Sequence, residues 1–585
     1  MSTAKHPFPS IDASKLQPKI VGADFELTNL VEGQQNPTDE AADAILAEVD
    51  GVPAFRWLSH AEWKRPETAT SAPRSTIETM VDRGRKYLMN GCIYIDSTHV
   101  ELAFVETRSA ADYVRAHRDM LRIAITALHE ANLKRGADQG RIRLLAGNSD
   151  GQGNAWGTHL NFLISREAFT NIMLHYQAFL ASVHAAGVIF GQGKVGAEFR
   201  QPIPYQLSQR VPDFFSKVAT LDTMCGAHRG LVNTRDEALA GKKSDQIARY
   251  HCIPYDHTLN RYADWLKVGH LQLILLMIEA ERVPCDLILE DPPQAAHDWG
   301  RDQTLFHRRN NRVGSQISGA RARLITGEWI TLAGYHARLA EMAGVFLAEV
   351  PELIDSLVPG AFAILDAWRE TAHQIESRDL EWLRRRFDAW TKHDLLREAM
   401  RQNAELDDWA HPTLKALDHL FGELPDGLFF QLERAGEVEV MHPGENPEPG
   451  PFVAPSDTRA GVRARILGIL PRSSIVRVNW DEVVFEHTDT GSGLTKVYSV
   501  TLSDPAMRLT RYWERLRDRE DLVALFEQAP SDRGRESSPR PPQPPTPKQP
   551  TLQAPRCEVR TYSIHPGPKA GLKKKKNKKP NQNEP

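Results

Sequence analysis

Residues 141–165 read RIRLLAGNSDGQGNAWGTHLNFLIS, and their pattern decides the fold class. RIRLL and THLNFLIS have the short, apolar-rich alternation of strands, and GNSDGQGNAWG between them is a run of turn formers. The unit is therefore strand, glycine-rich loop, strand. No Gly-Lys-Ser/Thr follows the glycines, which excludes a P-loop. Gly151, Gly153 and Gly157 permit close backbone approach to a ligand. His159 and Asn161 alternate along the second strand and share one face. Beside carboxylates, such a His-x-Asn pair can complete a metal and nucleotide site.

Upstream, KIVGADFEL (19–27) reads as a strand. KYLMNGCIYID (86–96) reads as two strands around a turn at Asn90–Gly91, a strong hairpin signal. Between them, 32–75 is polar and punctuated by Gly and Pro around the short helical stretch DEAADAILAEV, a loop or insertion. Helical periodicity covers 108–136, 166–186, 259–282, 331–349 and 379–403. Short helices and strands, including IVRVNW and EVVFEH, fill 415–500. Strands and helices in separate runs predict an α+β fold with a mostly antiparallel sheet.

Composition bounds the rest. At 585 residues the chain exceeds one ordinary core. A net charge of -4 argues neither for wholesale nucleic-acid binding nor for an acidic solvating chain. Five scattered cysteines, with no Cys-x-x-Cys, form neither a disulfide framework nor a zinc ribbon, and suit a reducing cytoplasm. The N-terminus has no apolar signal region, and the apolar run at Leu271–Ile278 is too short for a bilayer, so no membrane role is expected. From Gln528 the chain turns proline-rich and ends in LKKKKNKKPNQNEP. That tail is expected to be disordered, and its lysines could contact an acidic partner or nucleic acid. The expected units are a leader (1–18), a catalytic domain (19–415), a small C-terminal domain (416–527) and the tail (528–585).

Four clusters could carry chemistry. Asp24 and Glu26 share one strand face, and paired carboxylates suit hard divalent cations. Tyr94 and Asp96 share another, followed by His99, Glu101 and Glu106; a carboxylate in an apolar sheet can serve as base or nucleophile. His159 and Asn161 form the third. Arg210 and Arg235, in YQLSQR and VNTRDE, have the guanidinium fork that matches phosphate. Each cluster alone also reads as a solvated strand face, an ion-pair network or a structural histidine.

Their order is more specific. GADFEL, NGCIYIDSTHVE, GNSDGQGNAWGTHLNFL, GQGKVG, YQLSQR, VNTRDE, RYHCI, LEWLRRRFDAW, DDWAHPTLKALD, GLFFQL, DTRAGVRARIL and VNWDEVVF, over roughly 19–515, resemble the Pup ligase and Pup deamidase/depupylase family. The resemblance implies a glutamine-synthetase-like large domain, Mg2+ and ATP as cofactors, and a small Pup-like modifier with its modified targets as partners. It aligns Asp96 with the catalytic aspartate and sets Asp24, Glu26, Tyr94, Glu101 and His159 at the metal. It puts Asn161 and Trp480 at the nucleotide, with Arg210 and Arg235 as phosphate contacts. The chain departs from the family pattern at Cys92, Phe104, Leu160, Asp24 and YDHT (255–258).

In the ligase branch a glutamate side chain is activated as an acyl phosphate for a lysine to attack; in the depupylase branch the amide or isopeptide bond is opened. The five-residue step from Asp96 to Glu101 and the long stretch between Glu26 and Asn90 lean toward the deamidase/depupylase branch. A Pup–protein ligase, a nucleotide-binding pseudoenzyme and a small-molecule carboxylate–amine ligase stay open as alternatives.

Overall fold

A computed structural model describes residues 11–34, 38–54, 84–136, 138–149, 155–195, 204–211, 229–308, 319–439 and 452–528. Glycines 151 and 153, most of the expected insertion and the whole lysine-rich tail lie outside them. The strand at Val21–Val31 (β1) runs four residues beyond its expected end and alternates strictly between buried and half-buried side chains. That alternation, period two, gives the central sheet one apolar and one polar face.

The strands Val52–Pro53 (β2), Lys86–Leu88 (β3), Gly91–Asp96 (β4), His99–Phe104 (β5), Ile142–Leu145 (β6) and Thr158–Ser165 (β7) join β1. A small ribbon, Lys194–Val195 (β8) with Tyr205–Gln206 (β9), stands apart; Ile247–Tyr255 (β10) forms one edge of the main sheet. The order is β10-β7-β1-β5-β4-β3-β2. β6 continues beside the far half of β1, and Glu423–Leu424 (β13) pairs with β6. Arg321–Arg323 (β11) and Trp329–Thr331 (β12) make a separate hairpin. Every pairing is antiparallel, as the α+β reading requires.

The apolar face, with Phe25, Leu102, Leu160 and Tyr250, is covered by the helices Ala110–Lys134 and Arg261–Glu279. Ser109 caps the first, its hydroxyl accepting from Asp112 N–H at 3.0 Å. The second, capped by Asn260, is buried on every side, which is why its sequence is apolar all round. It contains the Leu271–Ile278 run. A continuous helical run, Arg166–Phe190, is long and apolar enough to cross a bilayer, with two-thirds (67%) of its window buried within the protein.

Two local expectations change. The β3–β4 turn is Met89–Asn90, one residue early: Leu88 pairs with Gly91, where a Cβ would run into the Ala103 carbonyl, so the position requires glycine. The stretch 379–403 is two helices, Leu380–Arg384 and Asp388–Gln402. The main core includes side chains as far along the chain as Ala460. A second core opens at Val462 and gathers the helix Arg459–Ile469 and the meander Ile475–Asn479 (β14), Glu482–Thr488 (β15) and Thr495–Thr501 (β16). This smaller core also takes in Tyr87, Cys92, Tyr94 and Ala103, so the C-terminal unit sits on the polar face of the sheet beside its carboxylates.

Candidate active site

The polar face collects most of the expected residues through strand register. Glu26 is opposite Glu101, and Glu101 opposite Tyr94. Asp24 is opposite His159, and Asn161 opposite His251. One continuous row of polar side chains thus crosses five strands. Its register between β4 and β5 comes from a two-residue turn, Ser97–Thr98, with Ser97 left-handed at φ 58°. That turn leaves Asp96 and His99 paired at the sheet end.

At one end of the row His159 Nδ1 lies 3.0 Å from Asp24 Oδ1. Asn161 Nδ2 donates to Asp24 Oδ2 at 3.4 Å, and its Oδ1 accepts from Arg249 Nη1 at 3.0 Å. His251 Nδ1 is 2.8 Å from the same Asn161 oxygen. Burial pushes the Asp24 carboxyl up, but His159, His251 and Arg249 together outweigh it and hold it at about 2. His251 is driven well below the usual imidazole range, first by burial and then by the charges of His159 and Arg249. Asp24 is thus an anion and His251 a neutral imidazole at neutral pH.

At the other end Tyr94 donates its hydroxyl to Glu101. Burial raises the Glu101 carboxyl well above its ordinary range, and the charges of Asp24, Glu26 and Asp96 raise it further. Its second oxygen is buried with no hydrogen-bond partner. Glu26 accepts from Gly157 N–H at 3.3 Å. The ring of His159 packs so closely on Gly157 that any Cβ there would overlap it, so this glycine is required by close approach.

Among the described residues no three His, Cys, Asp or Glu side chains close on one point, because Asp24 is tied to His159 and Glu101 to Tyr94. The donor chemistry nevertheless fits a hard divalent cation: the charges of Asp24, Glu26 and Asp96 raise the cost of ionising Glu101, and a buried Glu101 oxygen is left without a hydrogen-bond partner.

Trp480 turns the β14–β15 hairpin and meets Tyr87 edge-on, with ring centroids 5.5 Å apart. Arg463 stacks on it at 4.8 Å and pairs with Glu106 at 2.8 Å. Arg459 bonds the other Glu106 oxygen at 2.6 Å. Glu106 thereby fastens the C-terminal unit just beyond the end of β5. Arg235 lies at the His159 end, where its charge is felt by Arg249 and His251.

Arg210 is 1% exposed, and its guanidinium donates to the carbonyls of Ile253 and Tyr255 at the irregular end of β10. Cys92 is fully buried, its thiol pushed up to about 12 chiefly by burial, and contributes apolar volume. The sequence reading missed Arg249 and His251, although both lie in the quoted RYHCI segment; strand alternation there, set against His159-x-Asn161, was the available signal. It also missed Arg85 and Tyr87.

An antiparallel sheet with a carboxylate-lined polar face, with a small C-terminal unit against it, is a glutamine-synthetase-like fold. Residues 19–484 match the family described as Pup-ligase protein, and the chain belongs to it. It is 30% identical over 388 residues to the Pup--protein ligase of Acidimicrobium ferrooxidans, covering 65% of this chain and 79% of that one. It is 27% identical over 504 residues to the Pup deamidase/depupylase of Mycolicibacterium smegmatis, covering 80% and 91%. The fold matches the ligase PafA in complex with Pup at a TM-score of 0.65 and 21% identity, over 87% of this chain and 94% of that one. It matches PafA in complex with ADP at 0.61 and 22%, over 80% and 98%.

Proposed function

We propose that this chain uses ATP and magnesium to act on the side chain of a C-terminal Glu or Gln of Pup or a Pup-like modifier, in the cytoplasm. The observation that carries the reading is the carboxylate row Asp24–Glu26–Glu101, with Asp96 at its end, on a sheet face walled by Trp480. Relatives named for both directions of Pup chemistry support the substrate. The described free thiols, Cys92, Cys252 and Cys285, suit a reducing compartment.

Glu26 and Glu101 would supply carboxylate oxygens to the cation, with Asp24, Tyr94 and His159 beside them. Bound magnesium nucleotide supplies charge stabilisation and phosphoryl chemistry. Asn161 is held by Arg249 and His251 and orients Asp24. Trp480 offers an aromatic wall to a base, and Arg235 a positive charge at the far end. Asp96, at the strand end, takes the proton from the attacking nucleophile, a lysine amine or water.

For direction, the tight Ser97–Thr98 turn between Asp96 and Glu101 favours the deamidase/depupylase branch. The similar level of identity to a ligase favours the opposite direction as a second reading. Intact-mass analysis after incubation with ATP, magnesium and Pup in its Gln and Glu forms tests both. A one-dalton gain on the Gln form without stoichiometric ADP means deamidase; a lysine conjugate with matching ADP means ligase. No product with either form, in the presence of a target protein, overturns the proposal.

A further inference from the structure

Arg85 immediately precedes β3, and the β3–β4 register, Lys86 opposite Ile93, sets it beside Tyr94 on the polar face. Its guanidinium lies over the Tyr94 ring, with Cζ 3.9 Å from the centroid, a cation–π contact. Tyr94 gives its hydroxyl to Glu101, so ring, guanidinium and carboxylate form one rigid stack. On the other side of Arg85 stands Tyr87, which meets Trp480.

The guanidinium is undersupplied with acceptors. Its Nε is buried with no hydrogen-bond partner. Among the described residues no carboxylate forms an ion pair with it, although the Glu101 charge is felt there. An arginine carries five donors in a fixed fork, and a half-buried one without an anion is costly. The neighbouring guanidinium, Arg463, is by contrast committed to Glu106 and the Trp480 carbonyl. Cys92, on the same face, offers only a buried thiol, which is directed at the Ile93 carbonyl at 3.9 Å.

Along this half of the face the order is therefore aromatic pair, a guanidinium that touches Tyr87 and Tyr94 but has no ion-pair partner among the described residues, and carboxylates. A nucleotide polyphosphate with its divalent cation has the same order of base, phosphates and metal. We propose that Arg85 is a phosphate contact of the nucleotide site, held on Tyr94 so that its fork faces an anion between Trp480 and Glu101. This rests on the nucleotide-dependent reading above and adds a residue to it.

Calorimetric titration of the full chain, with magnesium, by ATP, ADP and adenosine tests it in wild type, Arg85→Gln and Arg85→Lys. The expected result is a ten- to hundredfold loss of ATP and ADP affinity in Arg85→Gln, with adenosine affinity unchanged and partial recovery in Arg85→Lys. A structural role would weaken adenosine and ATP alike, and that outcome overturns the proposal. Unchanged ATP affinity in Arg85→Gln, with wild type binding normally, removes Arg85 alone. A wild type that binds no nucleotide removes this proposal and the nucleotide-dependent reading together.

Discussion

Glu26 on β1 and Glu101 on β5 are direct register partners, two carboxylates opposed across an antiparallel pair. Like charges so placed destabilise a sheet unless a cation lies between them. The arrangement sacrifices stability for a site, and that trade can be measured.

Glu101→Gln is expected to raise the melting temperature in the absence of magnesium, by an amount corresponding to about 1 kcal/mol. The sign follows from linkage. Burial and the neighbouring carboxylates raise the Glu101 carboxyl in the folded state, so its contribution to stability is present at low pH and lost as pH rises through the raised value. Magnesium should stabilise the wild type and lose that effect in the variant. Equal magnesium stabilisation of both proteins argues against Glu101 as a ligand.

Asp96→Asn keeps charge-independent packing at the end of β4 but removes the proposed base. Turnover should fall by about 10²–10⁴-fold, with ATP affinity within a fewfold of wild type. Single-turnover kinetics with Pup separates the two quantities. Retained turnover would assign the base elsewhere.

Glu106 tests the clamp between the two cores. Burial alone would raise its carboxyl, but Arg463 and Arg459 prevail and hold it at about 2. A depressed carboxyl contributes stability above its unfolded value, lost as pH falls toward about 2. The linkage is worth on the order of 3 kcal/mol. Denaturant titrations from pH 6 to 3 should therefore show a steeper fall for wild type than for Glu106→Gln. Parallel curves would mean that the pair contributes nothing to folding.

Arg210→Ala separates structure from binding. Removing its donors to Ile253 and Tyr255 leaves buried carbonyls unsatisfied and should cost about 1–3 kcal/mol or more. Where folded protein remains, ATP affinity should match wild type. A selective loss of ATP binding, with unchanged melting, would make Arg210 a phosphate contact.

Much of the fold was legible. Alternation in GADFEL, GCIYID and THLNFLIS placed Asp24 with Glu26, Tyr94 with Asp96 and His159 with Asn161 on shared faces, because a strand turns its side chains over every residue. The all-round apolar pattern near Leu271–Ile278 marked a buried helix for an equally local reason. The β3–β4 turn was expected one residue late, because the glycine at 91 is required by the Ala103 carbonyl on the neighbouring strand and not by the turn.

What the chain determined by itself is therefore which residues share a face and where helices and strands lie, since both follow from near-neighbour sterics and periodicity. Tertiary structure decided which faces meet. Register brought Glu26 to Glu101 and Asp24 to His159 from strands 75 and 135 residues apart, as read from their numbers. Chain crossing also delivered Arg249 and His251 to Asn161, and folded Trp480 against Tyr87. The same long-range packing drew Arg210 inward to the carbonyls of β10 and left Arg85 on the polar face. An arginine's long side chain follows the nearest acceptors in space, and no local pattern says where those are.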